Sequence, residues 1–325
     1  MIAPECDALI NGVGFAELQR SQVQVTGKDR VRLLQGLTTN DIKRLQPGDG
    51  CESFLTNIQG KVVGYVYVFC TPDSLVLDSV AGAAPDIIRS LDRYVIREDV
   101  RFTDQSNTWR EILVSGAMAA NQLTTLFGAD VPEGYMQHRD IAFLDSSVSL
   151  RRTGFAGPNS LHLSASEMTI TAIELALDEA GCQRCRDEAV EIMRIEAATP
   201  LFGRDITADN LPQEVNRNSL AISFTKGCYL GQETVARIDA LGHVNRLLCG
   251  LRFDSPDLPP AGAEISSQGK VLAKTTSVCF SPRFASPLAL AYVRRGHDQP
   301  GTRMATEWGT AEVLRLHDNF GWTDH

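Results

Sequence analysis

Residues 226–233 read Lys-Gly-Cys-Tyr-Leu-Gly-Gln-Glu, and this stretch constrains the chain more than any other. Gly227 and Gly231 favour a sharp turn or a close backbone approach, because glycine alone enters left-handed conformations without a steric cost. Lys226 stands two residues before Cys228. A nearby cation favours the thiolate, which is the nucleophilic and metal-binding form of cysteine. The spacing alone leaves a second interpretation open, in which Cys228 is a small buried hydrophobic residue.

The size and charge of the chain are typical of a globular protein of two or three domains. It has 325 residues, 43% of them apolar, and a formal net charge of −9. The acidic balance argues against a broad nucleic-acid-binding surface. Residues 1–20 lack a basic start followed by an apolar run, and no apolar run reaches the roughly 18 residues of a membrane helix. We therefore expect a cytoplasmic protein without a membrane partner.

Eight cysteines are scattered along the chain. Without a secretory signal, a chain of this length is expected to keep them as reduced thiols. Cys182 and Cys185 form a Cys-x-x-Cys pair, but no second pair and no suitably spaced histidine pair follows to complete a zinc site. We therefore predict no bound metal ion.

The hydrophobic pattern changes near residue 246. Before it, short β segments alternate with helical ones, which predicts an α+β fold. Residues 164–167, Ser-Ala-Ser-Glu, form a capping-box pattern that predicts a helix start, and residues 222–224 predict a short strand. After residue 246, evenly spaced β segments between proline-rich turns predict a small β-barrel. The predicted domains are residues 1–245, divided into interleaved subdomains (roughly 1–48 with 140–245, and 49–139), and a barrel at 246–325.

A carboxylate lies on the apolar face of one predicted helix. The residues spaced three or four apart on that face are Ala189, Ile192, Met193, Glu196 and Ala197. Burying a carboxylate without a partner costs on the order of several kcal/mol, so Glu196 should have a donor-rich partner. One interpretation is an internal ion pair with Arg194 or another arginine, and the other is a ligand.

Several motifs resemble one protein family. The Lys-Gly-Cys-Tyr-x-Gly-Gln-Glu stretch resembles the signature of the YgfZ proteins, which belong, with mitochondrial relatives, to the folate-binding superfamily of the glycine-cleavage T-protein. Residues 194–200 resemble the superfamily's Arg-Ile-Glu-Ala-Gly-x-Pro, although Ala198 stands where glycine is usual. Residues 211–214, Leu-Pro-Gln-Glu, resemble the loop that precedes the signature. The resemblance implies an α+β cloverleaf of three domains, namely two interleaved α/β sandwiches and a C-terminal barrel.

The resemblance also implies a function. It implies a tetrahydrofolate-binding accessory protein for iron–sulfur cluster assembly or repair, with an indirect effect on tRNA modification. Tetrahydrofolate, or a one-carbon derivative, would lie in a central cavity with Glu196 on its pterin ring. Cys228 would border that cavity as the reactive thiol beside Lys226, and what it reacts with stays open. The other implied folate contacts are Asn57, Tyr229, Gln232 and Arg237, and the remaining motif residues are Gly227, Gly231 and Glu233.

A partner protein is expected for Cys228. One cysteine cannot hold an iron–sulfur cluster, because such clusters need about four ligands. Any cluster would therefore be bound transiently, together with an iron–sulfur assembly or client protein. We expect a monomer that does not bind nucleic acid directly.

Gly64 bears on the choice between activities. Residues 56–64 resemble a T-protein hairpin in which a catalytic aspartate stands four residues after a turn glycine. Read without gaps, that position here is Gly64, and no acid occurs between Glu52 and Asp73. Glycine cannot serve in general acid–base catalysis. A folate-dependent aminomethyltransferase is therefore an alternative, a non-catalytic regulatory binding module is another, and whether the chain is an enzyme stays open.

Overall fold

The structure is a computed structural model that describes residues 2–316 and 322–323, so part of the predicted barrel range lies outside the described residues. The α-helices are α1 Ala3–Ile10, α2 Arg30–Leu37, α3 Ala84–Asp92, α4 Ala119–Phe127, α5 Glu167–Glu179, α6 Asp187–Glu196, α7 Asn218–Ala221 and α8 Gln232–Leu241. Two short 3-10 helices span Ile42–Arg44 and Pro212–Val215. Among the described residues, no helix combines the length and the apolar character that crossing a bilayer requires.

Two sheets contain the strands of the first two thirds of the chain. The first sheet has the order β11-β1-β7-β10-β9-β8. Its strands are β1 Gly14–Leu18, β7 Arg110–Ser115, β8 His138–Phe143, β9 Ser146–Thr153, β10 Ser160–Ala165 and β11 Gln183–Arg184. The second sheet has the order β3-β4-β5-β2-β6. Its strands are β2 Arg20–Thr26, β3 Gly50–Thr56, β4 Val62–Cys70, β5 Leu75–Val80 and β6 Arg101–Asp104.

A third, six-stranded sheet forms the C-terminal barrel. Its order is β13-β14-β15-β12-β17-β16, and its end strands β13 and β16 lie beside each other, so the sheet nearly closes. The strands are β12 Arg246–Phe253, β13 Glu264–Ser267, β14 Lys270–Ser281, β15 Ser286–Arg294, β16 Arg303–Thr306 and β17 Gly309–Val313. A short ribbon pairs β18 Arg315–Leu316 with β19 Trp322–Thr323. The predicted α+β fold with a C-terminal barrel is confirmed.

Helices cover the outer faces of the first two sheets. In α5, Ile170, Ile173 and Leu177 are fully buried against the first sheet, as the period of their spacing predicts. Helices α2 and α3 cover the second sheet in the same way. The inner faces of both sheets contribute to a central core with α6 and barrel residues. The sandwich geometry therefore places α6 at the centre of the molecule.

Two local predictions are wrong. The helix predicted to start at Ser164 starts at Glu167, and its N-cap is Ser166, whose hydroxyl accepts from the Thr169 backbone N–H. Ser164 lies in β10, where it pairs with Glu111 of β7 and Ser149 of β9, and its hydroxyl accepts a hydrogen bond from Gln22 of the other sheet. The strand predicted at residues 222–224 does not form, and this segment follows α7 without joining a sheet.

The sheets also divide the chain differently from the predicted subdomains. Arg20–Thr26 belongs to the second sheet, together with β3, β4 and β5. Arg110–Ser115 belongs to the first sheet, between β1 and β10. The chain therefore leaves the first sheet after β1 and returns to it at β7. The domain boundaries themselves stay a prediction.

A buried polar network joins the first two sheets. Arg151 of the first sheet lies 3.1 Å from Asp78 of the second and 3.3 Å from Glu111 of its own sheet. Gln22 of the second sheet donates to Glu111 at 2.9 Å. Removing one member of such a network leaves a buried charge without its partner, whereas the complete network balances its desolvation.

The same network contains the one group of three possible metal ligands found among the described residues, Asp78, Glu111 and His162. Arg20 lies 2.7 Å from Asp78, so guanidinium groups already neutralise the carboxylates. Burial lowers the pKa of His162 to about 3, and its Nδ1 lies 2.7 Å from a Glu111 oxygen. The arrangement is that of an internal ion network and disfavours a further cation.

The substitution Arg151→Met should reduce the free energy of unfolding by about 3–5 kcal/mol, because it leaves Asp78 and Glu111 buried with less positive charge. Urea unfolding followed by circular dichroism measures this. Arg139→Met, at an exposed position on the neighbouring strand β8, is the matched control and should change stability by less than about 1 kcal/mol. Equal effects of the two substitutions would contradict the role of the network.

Candidate functional site

Cys228 lies on the surface, in the loop between α7 and α8. All eight cysteines fall within the described residues, and Cys228 is the exposed one, while the other seven are buried or partly buried. The interpretation of Cys228 as a small buried hydrophobic residue is therefore wrong. The thiol is accessible to solvent and to another molecule.

Lys226 holds the end of α2. Its Nζ donates hydrogen bonds to the backbone carbonyls of Gln35, Thr38 and Asn40, each at 2.7 Å. The last carbonyls of a helix have no partner within the helix, so a buried ammonium at this position caps Arg30–Leu37. The first residue of the signature therefore ties the loop to the second sheet's helix.

The position of Lys226 changes the role expected for it. Burial lowers the pKa of Lys226 to about 8, and its Nζ lies 5.0 Å from the centroid of the Tyr229 ring. An ammonium has three N–H donors, and the three carbonyls use all of them. Lys226 thus has no hydrogen left to donate to Cys228, so a hydrogen bond between the two is not part of this structure.

The turn of the β3–β4 hairpin packs against the signature loop. Gly231 has φ +80°, and a Cβ there would lie 2.4 Å from the Asn57 carbonyl oxygen. A Cβ on Gly60 would lie 3.0 Å from the Gly231 carbonyl oxygen. The Thr56 hydroxyl donates to the Leu230 carbonyl at 2.6 Å. The predicted close backbone approach is therefore found at Gly231, and it fixes the loop that carries Cys228.

The other signature residues have mostly local roles. A Cβ on Gly227 would meet no atom within 4 Å, so the close approach expected there is absent. The Gln232 side-chain oxygen accepts from the Tyr229 backbone N–H at 3.1 Å and closes the turn before α8. Burial raises the pKa of the Tyr229 phenol to about 12. Glu233 and Arg237 are exposed on α8.

Glu196 lies at the C-terminal end of α6 and is almost fully buried. Its Oε1 accepts a hydrogen bond from the Ser281 hydroxyl at 2.5 Å. Its Oε2 has no hydrogen-bond partner among the described residues. Burial raises the pKa of Glu196, and the Ser281 hydroxyl, the charge of Arg283 and the nearby Arg283 backbone N–H only partly oppose the shift. One carboxylate oxygen is thus available to a ligand with N–H or O–H donors.

A cavity of about 230 Å³ lies beside Glu196, lined by α1, α6, the turn at residues 156–159 and Arg283. This volume is below the roughly 300–1,000 Å³ of typical drug-sized ligand pockets, so the cavity has room for one end of such a ligand. Neither Cys228 nor any of the expected folate contacts Asn57, Tyr229, Gln232 and Arg237 lines it. The expectation that Cys228 borders the cavity of Glu196 is therefore not met.

Arg194 is not the partner of Glu196, which rules out this form of the internal ion pair. Its Nη1 lies 3.0 Å from an Asp205 oxygen, and its other nitrogens donate to Glu191 and to the Ser277 hydroxyl. Because Ser277 lies on β14, Arg194 fastens α6 to the barrel strand that also carries Ser281. The same contact therefore sets the position of Glu196.

Ala198 adopts a left-handed conformation with φ +57° immediately after α6. An L-residue with a Cβ pays roughly 1–2 kcal/mol in this conformation, which glycine avoids. The superfamily glycine noted at this position in the sequence motif therefore has a physical reason. Ala198 is strained here, and its carbonyl accepts from Arg217 at 3.3 Å.

Comparison with known proteins identifies the family. The profile of the GCVT N-terminal domain matches residues 1–226, which is more than half of the chain. The chain belongs to the glycine cleavage T-protein family. The profile of the glycine cleavage T-protein C-terminal barrel domain matches residues 246–314, in agreement with the barrel strands.

Relatives and a solved structure extend this T-protein likeness over nearly the whole chain. An aminomethyltransferase of Nostoc sp. is 28% identical over 90% of this chain and 80% of its own length. An aminomethyltransferase of Rippkaea orientalis is 25% identical over 93% of this chain and 84% of its own length. The crystal structure of aminomethyltransferase T from Bartonella henselae superposes with a TM-score of 0.87 at 19% identity, covering 99% of this chain and 91% of that one. This last likeness concerns the fold.

Gly64 distinguishes this chain from the hairpin pattern discussed above. It lies in β4 opposite Leu55, and a Cβ at this position would lie 3.0 Å from a Leu55 methyl carbon. A longer side chain would therefore need Leu55 to move. The next residue, Tyr65, donates its hydroxyl proton to Glu52.

Several residues around these sites were missed by the sequence analysis. Ser281 and Arg283 belong to the barrel, some 85 residues after Glu196. Arg217 pairs through two nitrogens with the buried Glu52, which also accepts from Tyr135. These contacts join segments far apart in sequence, and a periodicity argument has no access to them. The one available signal was Glu52, the one charged residue of strand β3.

The strain at Ala198 predicts that glycine substitutions at Ala197 and Ala198 change the stability of the protein by different amounts. Ala197→Gly, at φ −81°, should lose about 1–2 kcal/mol of stability through chain entropy and a lost buried methyl group. Ala198→Gly should stay within about 0.5 kcal/mol of the unsubstituted protein, because relief of the left-handed strain offsets the same losses. Urea unfolding of both variants measures the difference. Equal losses at the two positions would show that Ala198 carries no strain.

Proposed function

We propose that this T-protein relative binds tetrahydrofolate, or a one-carbon derivative, at Glu196 and acts as a YgfZ-type accessory factor for iron–sulfur cluster assembly or repair. The observation that carries the folate proposal is the buried Oε2 of Glu196, which has no partner among the described residues and belongs to a side chain that lines a cavity. A planar ring with adjacent N–H donors satisfies such a carboxylate by a charge-assisted, bidentate contact. The donor chemistry of a pterin ring therefore fits the acceptor that the chain leaves open.

The chain's own residues define how the ring would be held. Ser281 donates to Oε1 and fixes the plane of the Glu196 carboxylate. Arg194, by tying α6 to β14, keeps Glu196 and Ser281 together. The cavity volume of about 230 Å³ accommodates the ring, and the remainder of the folate would extend past Arg283, whose guanidinium suits an anionic tail. Arg237, proposed from the sequence for such a contact, lies on α8 and does not line this cavity.

The proposed role of Cys228 is reaction with a partner protein. The thiol is exposed on a loop that Lys226, Gly231 and Leu230 hold in place, and it lies outside the lining of the Glu196 cavity. A fixed and accessible thiol suits the transient holding of an iron–sulfur cluster as cargo, with the other ligands supplied by an assembly or client protein. An effect on tRNA modification would then be indirect, through enzymes that need clusters.

The remaining parts of the proposal follow the sequence. A net charge of −9 supports a protein that does not bind nucleic acid directly. A monomer in the cytoplasm stays the expectation, as does the absence of a resident metal ion. The domain division proposed is a T-protein-like N-terminal region of residues 1–245 followed by the barrel.

A second candidate function is folate-dependent aminomethyl transfer, because the relatives reported above are named aminomethyltransferases. Gly64 argues against it, since this position offers no carboxylate for proton transfer. Formation of methylenetetrahydrofolate in a reconstituted glycine-cleavage assay, with this chain as the only T-protein, would establish the second candidate in place of the first.

Glu196→Gln should weaken the binding of tetrahydrofolate at least tenfold, because a charge-assisted hydrogen bond contributes about 1.5–3 kcal/mol. Isothermal titration calorimetry of the full chain measures the affinity. Glu188→Gln, at an exposed position of the same helix, is the matched control and should bind as the unsubstituted protein does. No binding to the unsubstituted protein would overturn the folate proposal.

The affinity for tetrahydrofolate should also depend on pH. The charged carboxylate of Glu196 is the form that accepts N–H donors, and burial raises its pKa. Affinity should therefore fall as the pH decreases, beginning above the range of an ordinary glutamate near about 4.3. In Glu196→Gln this part of the dependence should be absent. Identical profiles for the two proteins would assign the titration to another group.

Cys228→Ser should keep the stability and the folate affinity of the protein, because the thiol is exposed and lies outside the cavity. It should fail to restore the activity of iron–sulfur enzymes in cells that lack the protein. Cys182→Ser, at a half-buried position, is the matched control and should restore that activity. Full restoration by Cys228→Ser would refute the proposed role of the thiol.

A further inference from the structure

A second cavity lies between the 3-10 helix Pro212–Val215, the end of α8 and the barrel turn at residues 295–299. Its volume is about 580 Å³, within the roughly 300–1,000 Å³ of small-molecule sites. It shares no lining residue with the cavity of Glu196. It is therefore a separate place at which the chain could hold a ligand.

Gln213 provides a buried acceptor at this cavity. The residue lines the cavity and is only 5% exposed. Its Nε2 donates to the Val235 carbonyl at 2.7 Å, which fixes the orientation of the amide, because a carbonyl can only accept. Its Oε1 has no hydrogen-bond partner among the described residues. A buried acceptor left without a donor costs about 1–3 kcal/mol, so a ligand that donates there is favoured.

Further acceptors lie in the lining of the cavity, beside the donors of Arg295 and of three side-chain amides. His243 Nδ1 lies 2.8 Å from the Leu241 carbonyl and must donate to it, which leaves Nε2 as the ring nitrogen that can meet a ligand. Asp239 and Asp298 each add a carboxylate to the lining. Arg295 is the one lysine or arginine in the lining, where two carboxylates stand against it.

The spacing of these acceptors suits an organic cation better than a metal ion. Among the described residues, the one group of three possible metal ligands with ligand atoms within 4.8 Å of one another is the cluster at Asp78. The group of Asp239, His243 and Asp298 does not meet this criterion. A metal ion needs ligand atoms that converge on one point. An organic ammonium compound can instead donate several N–H hydrogen bonds to acceptors spread across a wider cavity.

We propose that this cavity binds a small organic amine in its protonated form. The Gln213 Oε1 accepts one N–H of the ligand, and the carboxylates of Asp239 and Asp298 balance its positive charge. The proposal goes beyond the folate and thiol functions, and it uses none of the residues assigned to them.

Isothermal titration calorimetry of the full chain with putrescine tests the proposal. Putrescine should bind saturably, and Asp239→Asn and Gln213→Leu should each weaken the binding about tenfold, which corresponds to about 1.4 kcal/mol. Glu307→Gln, which removes one exposed acid outside the cavity, is the matched control and should leave the affinity unchanged. Asp239 is an exposed helix residue, so its substitution tests the site even where Gln213→Leu fails to fold.

Two further probes distinguish hydrogen bonding from charge alone. Tetramethylammonium carries a positive charge without N–H donors and should bind at least tenfold more weakly than putrescine. Succinate, a dianion of similar length, should not bind. Absence of saturable putrescine binding, tighter binding of succinate, or unchanged affinity in Asp239→Asn would overturn the proposal. Glu196→Ala should bind putrescine normally, so failure of the folate proposal is separable from failure of this one.

Discussion

The buried ion network between the first two sheets is the constraint on which the rest of the structure depends. Arg151 reaches Asp78 across the interface, and Gln22 reaches Glu111 in the opposite direction. Burial raises the pKa of Asp78 to about 6 even though arginines lie against it, which indicates how completely the network is removed from water. Such a network has little net stabilising effect over apolar packing, but it strongly disfavours any arrangement that leaves one member alone. It therefore fixes the relative position of the two sheets.

Because the first two sheets are fixed relative to each other, they also determine the position of α6, the helix at the centre of the molecule. Arg194 bonds to Asp205 and to Ser277 of the barrel, so the helix is tied to the third sheet. Glu196, two residues later, meets Ser281 on the same barrel strand. The candidate ligand carboxylate is thus presented by contacts between α6 and the barrel. No segment of the chain forms that cavity alone.

The signature loop and Glu196 lie at different places in the molecule. Lys226 and Gly231 attach the signature loop to α2 and to the β3–β4 hairpin, which leaves Cys228 facing solvent. Glu196 faces an internal cavity of the same molecule. A shared active site would require the thiol and the ligand to meet, and Cys228 does not line the cavity of Glu196. This separation supports a division between ligand binding and reaction with a partner.

The sequence by itself determined the α+β class, the barrel and the burial of Glu196, because these depend on the local spacing of hydrophobic residues and on turn-forming residues. It also indicated the glycine approach at Gly231. The strand predicted at residues 222–224 and the helix start at Ser164 failed because contacts with distant segments override local preference. Only the tertiary structure decided that Lys226 caps a helix, that Arg194 avoids Glu196, and that Cys228 lies outside the cavity. The physical reason is that hydrogen-bond partners are chosen by spatial proximity, and residues far apart in sequence become neighbours only when the sheets have packed.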